Sequence, residues 1–134
     1  MAVNYVAVLV SAIASMAVGF VWYSPGVFGR QWMHLTGITK KDVEKGKANM
    51  PQKMVVALIA QLVMAYALSL LLTATSTVGA KAGAKLAALV WLGFVATILL
   101  GSVLWEGKPS KLWILNSAQW LVAMAVMGAI LAAW

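Results

Sequence analysis

The chain has 134 residues, 63% of them hydrophobic and 10% charged, with ten basic residues against three acidic ones and no cysteine. So little charge excludes an ordinary soluble globule, and the missing cysteine excludes disulfides, thiol nucleophiles and cysteine-based metal or redox sites. The formal charge of +7 does not point to nucleic acid, since the basic residues sit in connectors between apolar runs and not on a basic helix or aromatic platform; anionic lipid headgroups fit better.

The apolar residues gather in runs of about 20, roughly the length that crosses a hydrocarbon core about 30 Å thick at 1.5 Å per residue. The predicted fold is therefore all-α, a four-helix transmembrane bundle formed by one domain over residues 1–134. The first span covers about residues 3–23. It reads as a retained helix and not a cleaved signal, because no Lys or Arg precedes it and no small-residue cleavage pattern follows Trp22, Tyr23, Ser24 and Pro25.

Residues 24–53 form a long loop. Ser24 and Pro25 suit an N-cap and first helical position, and Val27, Phe28, Trp32, Met33 and Leu35 cluster on one side of the helix that would follow, with Arg30 outward, as in a helix lying in the headgroup plane. Thr39 and Asp42 have capping-box spacing for a second short helix ending near Gly46.

The remaining spans are predicted over about residues 54–74, 86–105 and 112–134, none carrying a charged side chain, and the short connector between the last two makes a helical hairpin. Arg30, Lys40, Lys41, Lys45, Lys47, Lys53, Lys108 and Lys111 lie on one side of the bilayer, and only Lys81 and Lys85 on the other. Lys and Arg in short loops stay cytoplasmic, so both termini are expected to be non-cytoplasmic and the long loop cytoplasmic.

Helices in lipid associate through close backbone contact at small residues and a few hydrogen bonds. Each span offers a seam at a four-residue step: Ala7, Ser11, Ser15 and Gly19; Ala57, Gln61, Ala65, Ser69 and Thr73; Gly93, Thr97 and Gly101; Ser117, then Ala125, Ala129 and Ala133. Spare seams would suit a homo-oligomer or a larger envelope partner.

Chemistry is sparse. Glu106 is the one acidic residue bordering a span, and an ionisable group at membrane depth is a functional candidate by default. Asn116, Gln119 and Gln61 are the strongest polar groups within the spans, and each needs a partner in hydrocarbon. Asn116 is placed either to cap the cytoplasmic end of another helix or to line a polar pocket with Glu106, with structural glue the favoured role, and Gln61, in the cytoplasmic half of its helix, is within reach of a shared cluster. His34 has no second ligand at metal spacing. No catalytic set can be assembled, so neither enzymatic chemistry nor a cofactor is expected. Trp22, Trp105, Trp113 and Trp134 fit interfacial belts, whereas Trp91, Trp120 and Tyr66 lie deeper, where they either fill the bundle or line a pocket for a quinone or lipid tail.

Several segments together resemble a family of small four-helix bacterial membrane proteins catalogued only as a domain of unknown function. They are Asn4-Tyr5-x-Ala7-Val8, Trp22-Tyr23-Ser24-Pro25, Phe28-Gly29-x-x-Trp32, Gly93-Phe94, Leu104-Trp105-Glu106-Gly107-x-Pro109, and Asn116 with Met127-Gly128-Ala129-Ile130-Leu131. The resemblance implies the four-helix fold and a bacterial inner-membrane home, and transfers no activity. It adds Asn4, Trp22, Tyr23, Ser24, Pro25, Trp32, Gly107 and Pro109, with Glu106 and Asn116, as candidate site residues. The functional expectation is a non-catalytic structural or interaction protein that packs through its small-residue faces. The alternatives are a small transporter or proton-conducting bundle using Glu106 and neighbouring amides, and a lipid or quinone binder.

Overall fold

The computed structural model describes residues 3–134, and among these every regular element is helical. Four helices are long and apolar enough to cross a membrane. We number the helices α1 (Tyr5–Trp22), α2 (Gly29–Thr36), α3 (Lys40–Gly46), α4 (Met50–Ala74), α5 (Ala80–Leu104) and α6 (Ser110–Ala133). The helix α6 stands at the centre, with α5 against one flank and α1 against the other; α4 packs on α1 and more lightly on α6. Val8, Ala65, Leu68, Leu72, Ala87, Met124 and Met127 form the buried apolar cluster where these helices meet.

Two helices begin earlier than their apolar runs. Polar residues can occupy the first turns of a helix that extends beyond hydrocarbon, so α4 starts at Met50, with Pro51 in its first turn, and α5 at Ala80, where the sequence suggested about 54 and 86. The loop helices follow their local codes unequally. At α3 the Thr39 hydroxyl accepts from the Asp42 amide at 3.2 Å and the Asp42 carboxylate accepts from the Thr39 amide at 2.9 Å, a complete capping box. These hydrogen bonds, the backbone one foremost, hold the Asp42 carboxyl below its ordinary value of 3.8. Ser24 and Pro25, in contrast, do not start α2. The Ser24 hydroxyl donates backwards to the Val21 carbonyl at 2.7 Å, closing the end of α1, and α2 starts at Gly29 with no side-chain cap.

The small-residue seams need a similar correction. On α1, Ala7, Ser11 and Ser15 are buried as expected, and on α4 so are Gln61 and Ala65. On α5 the contact residues are instead Gly83 and Ala87, which meet Gly128 on α6 so closely that a Cβ on either glycine would collide with the other's carbonyl. The expected α5 seam faces away: Gly93 has open space around it and Thr97 is exposed. The cause is a π-helical segment, Trp91–Ala96. One extra residue in the turn changes the inward step from four to five, so the inner face runs through Gly83, Ala87, Trp91 and then Ala96. On α6 the buried face passes through Ser117, Ala123, Met124, Met127 and Gly128, while Ala125 and Ala129 are half-buried and Ala133 is exposed.

Two tryptophans bind the α5–α6 pair reciprocally. The Trp91 indole N–H donates to the Ser117 carbonyl at 2.7 Å, and the Trp113 indole N–H donates to the Ala96 carbonyl, at the end of the π segment, at 3.0 Å. Trp91 is therefore a fastener within the bundle, and Trp113 is more than an interfacial anchor.

Candidate functional site

The polar residues within the spans converge where α1 ends. There the chain folds into a knuckle: the Phe28 amide donates to the Trp22 carbonyl at 3.0 Å, and the Gly29 amide to the Ser24 carbonyl at 2.9 Å. Gly29 has no room for a side chain, since a Cβ would stand 2.8 Å from the Ser24 carbonyl oxygen and nearer still to that of Tyr23. The Trp22 ring packs on Phe28 at 4.6 Å between centroids, and the Tyr23 ring meets Trp32 edge-on at 5.8 Å, a geometry that aromatic pairs favour. Trp22, Tyr23, Ser24, Pro25 and Trp32 thus belong to one structural unit.

The knuckle aims Tyr23 at α6, where its hydroxyl donates to the Asn116 side-chain oxygen at 2.8 Å. Deeper in the bundle the Ser15 hydroxyl on α1 donates to the Gln61 side-chain oxygen on α4 at 2.6 Å. In both pairs an α1 hydroxyl occupies a carboxamide oxygen, and the amide –NH2 remains as the unengaged half. Gln119, on α6 one turn beyond Asn116, is only 4% exposed. It forms no hydrogen bond with any described residue, and its Nε2 lies 3.6 Å from where a Cβ on Gly19 would stand.

These groups line two adjoining cavities. The inner one, about 360 Å³, lies between α1, α4 and α6, opens at the bundle surface and is lined by Ser15, Gly19, Tyr23, Gln61, Gln119 and Trp120, with Met16, Phe20, Met54 and Ala57 completing the lining. The outer one, about 730 Å³, lies under α2 and α3 and includes Arg30, Trp32, Met33, Leu99 and Asn116. Tyr23 and Trp120 line both, so the two adjoin at these side chains; we call them together the cleft, and the outer cavity is cationic at Arg30. Both volumes fall within the about 300–1,000 Å³ usual for small-molecule sites.

The cleft gathers Gln61, Gln119, Asn116, Tyr23, Pro25 and Trp32. It does not gather Glu106, which is exposed in the α5–α6 turn and makes no hydrogen bond or ion pair among the described residues. Asn116 does not share a pocket with Glu106 and pairs with Tyr23, because the knuckle carries the phenol inward while the turn carries the carboxylate out. Gly107 and Pro109 shape that turn, Gly107 with a φ of 68° and Pro109 as the residue preceding α6. Asn4 lies at the opposite end of α1, where its side chain caps the helix by accepting from the Ala7 amide at 3.1 Å. Trp120 sits in the cleft, whereas Tyr66 is exposed. Sequence reasoning missed Ser15 as a polar partner, although its place on a seam facing a glutamine was visible, and missed Gly29 as the residue that lets the knuckle close.

Among the described residues no three His, Asp or Glu side chains lie together as a metal site would require. What the cleft offers is hydrogen-bond donors in an apolar, partly aromatic enclosure. The fold and cleft define an all-helical bundle with four candidate membrane spans and a polar-lined interior groove. The family described as "Protein of unknown function (DUF1761)" matches residues 6–132, and the chain belongs to it. No curated protein and no solved structure matches it.

Proposed function

We propose that this chain is a non-catalytic integral membrane protein that binds a small, mostly apolar molecule in the cleft between α1, α4 and α6. The observation that carries this reading is Gln119, a 4% exposed residue whose side-chain amide reaches the inner cavity and makes no hydrogen bond with any described residue. A carboxamide in hydrocarbon costs several kcal/mol, roughly, without a partner, and a ligand's polar group would supply one. A role through packing alone would rest on the outward face of α5 at Gly93 and Thr97, because Ala7, Ser11 and Ser15 of α1, Gln61 and Ala65 of α4 and the Gly83 face of α5 are occupied inside the bundle. Conduction through Glu106 has little support, as that side chain lies outside the cleft.

The same reading puts the protein in a bacterial inner membrane, with α2, α3 and their lysines on the cytoplasmic face against anionic headgroups and both termini on the other side. The loop's basic excess supports that orientation.

Native mass spectrometry of the protein released from its own membranes tests the binding role. A retained small-molecule adduct is expected, lost in Gly19→Leu, which fills the inner cavity, and kept in Gly93→Leu, where the added side chain meets open space. A bare wild-type protein, or equal adduct in both variants, overturns it.

A further inference from the structure

We infer that the inner cavity recognises a flat ring bearing carbonyl oxygens, of the quinone type, through the side-chain amides of Gln61 and Gln119. This inference rests on the binding role proposed above and specifies the ligand's chemistry. The two carboxamides approach the cavity from different helices, Gln61 from α4 and Gln119 from α6.

Both side-chain amides present an unengaged –NH2 group on this wall. The Gln61 oxygen accepts from Ser15 while its –NH2 makes no hydrogen bond with any described residue, and the Gln119 –NH2 is the end nearest α1 at Gly19. An –NH2 group donates and does not accept, so the matching ligand group is an acceptor. No Lys or Arg lines the inner cavity, which disfavours a carboxylate or phosphate there, since an anion without a countercharge in low dielectric is costly. The acceptor is therefore neutral, and a carbonyl is its simplest form.

The rest of the enclosure points to a ring. Phe20, Tyr23 and Trp120 present aromatic surface, and Met16 and Met54 present thioethers, which pack well against aromatic rings. Depth separates a ring carbonyl from the ester of a bilayer lipid. Gln119 lies roughly 13 Å along α6 from Ser110, at 1.5 Å per residue, well below the level at which a lipid seated among headgroups keeps its esters. Two donors from facing walls and aromatic sides between them suit a planar ring with acceptors on separate edges.

The test uses the full chain in nanodiscs and three probes with equal tails: a decyl benzoquinone, decylbenzene and methyl decanoate. Affinity is read by native mass spectrometry, and the quinone carbonyl stretch by isotope-edited infrared spectroscopy. The quinone is expected to bind at least about tenfold more tightly than decylbenzene and than the acyclic ester, with its carbonyl band shifted to lower frequency. Gln119→Leu and Gln61→Leu are each expected to abolish that preference and the shift, and circular dichroism of each variant in the nanodisc reports that it is folded. Equal affinity for quinone and decylbenzene, or a preference that survives both substitutions, overturns carbonyl recognition but leaves the cleft as a binding site. Methyl decanoate binding as well as the quinone overturns the ring requirement. Failure of all three probes to bind, with no difference between wild type and Gly19→Leu, removes the binding role itself.

Discussion

The α5–α6 crossing and the cleft between α1, α4 and α6 are built from similar material and end in opposite states. At the crossing, Gly83 and Gly128 bring two backbones into contact and Ala87 fills what remains. At the cleft, Gly19 and Ala57 are just as small, yet Tyr23 and Trp120 stand where a closing side chain would be, and space remains. Small residues alone do not decide whether helices close. The bulk of their neighbours does, and so does the presence of polar groups that need something other than lipid.

The largest test of this contrast is to add volume on each side. Gly83→Val or Gly128→Val should destabilise the bundle by about 3 kcal/mol, the upper end of the usual cost of overpacking, because the obstacle is backbone that cannot move aside. Gly19→Ala should be neutral or stabilising by up to about 1 kcal/mol, since its Cβ would meet only Gln119 Nε2 at an ordinary 3.6 Å and alanine favours helix. Unfolding in mixed micelles, followed by circular dichroism, measures both; equal losses would mean that the cleft is packed as tightly as the crossing.

A smaller effect is expected from Ser15→Ala, which leaves the Gln61 oxygen without its donor. The cost should be about 1 kcal/mol, modest because an unfolded helix in lipid also finds partners, and should vanish in the Ser15→Ala/Gln61→Leu double variant measured in the same assay. The smallest effect lies outside the bundle. Because its capping bonds lower the Asp42 carboxyl's folded value, their stabilisation of α3 is fully present above the ordinary value of 3.8 and is lost as pH falls through the folded one. Protection of the amides at residues 40–46, taken relative to free-chain exchange at each pH, should therefore fall at acid pH in the wild type and be lower at every pH in Thr39→Ala, while the amides of α1 and α4 stay protected.

Much of the fold was legible in the sequence because in lipid length and hydropathy nearly determine a helix. The existence of four spans needed only that. Helix starts were less legible, since hydropathy marks where the apolar surface begins and the backbone of α5 is helical from Ala80. The inward face of α5 was hidden because the π segment shifts it by one residue, and the four-residue series Gly93, Thr97 and Gly101, read as a regular helix, took no account of that shift; Gly93 and Thr97 face outward. For the candidate site, Gln61, Asn116 and Gln119 stood out as amides in apolar runs. Their partners did not, because the pairing of Tyr23 with Asn116 joins residues 93 positions apart and depends on how the knuckle turns. Glu106 stood out for the same reason as the amides, and only the outward course of its turn separates it from them.

The knuckle also has a mechanical side. With Gly29 pressed against the carbonyls of Tyr23 and Ser24, and Trp22 and Tyr23 clasped by Phe28 and Trp32, α2 is joined to α1 by a stiff elbow and not by a slack tether. A force or tilt applied to α2 at the surface is therefore delivered as torque along α1, to the Ser15 hydroxyl that grips Gln61.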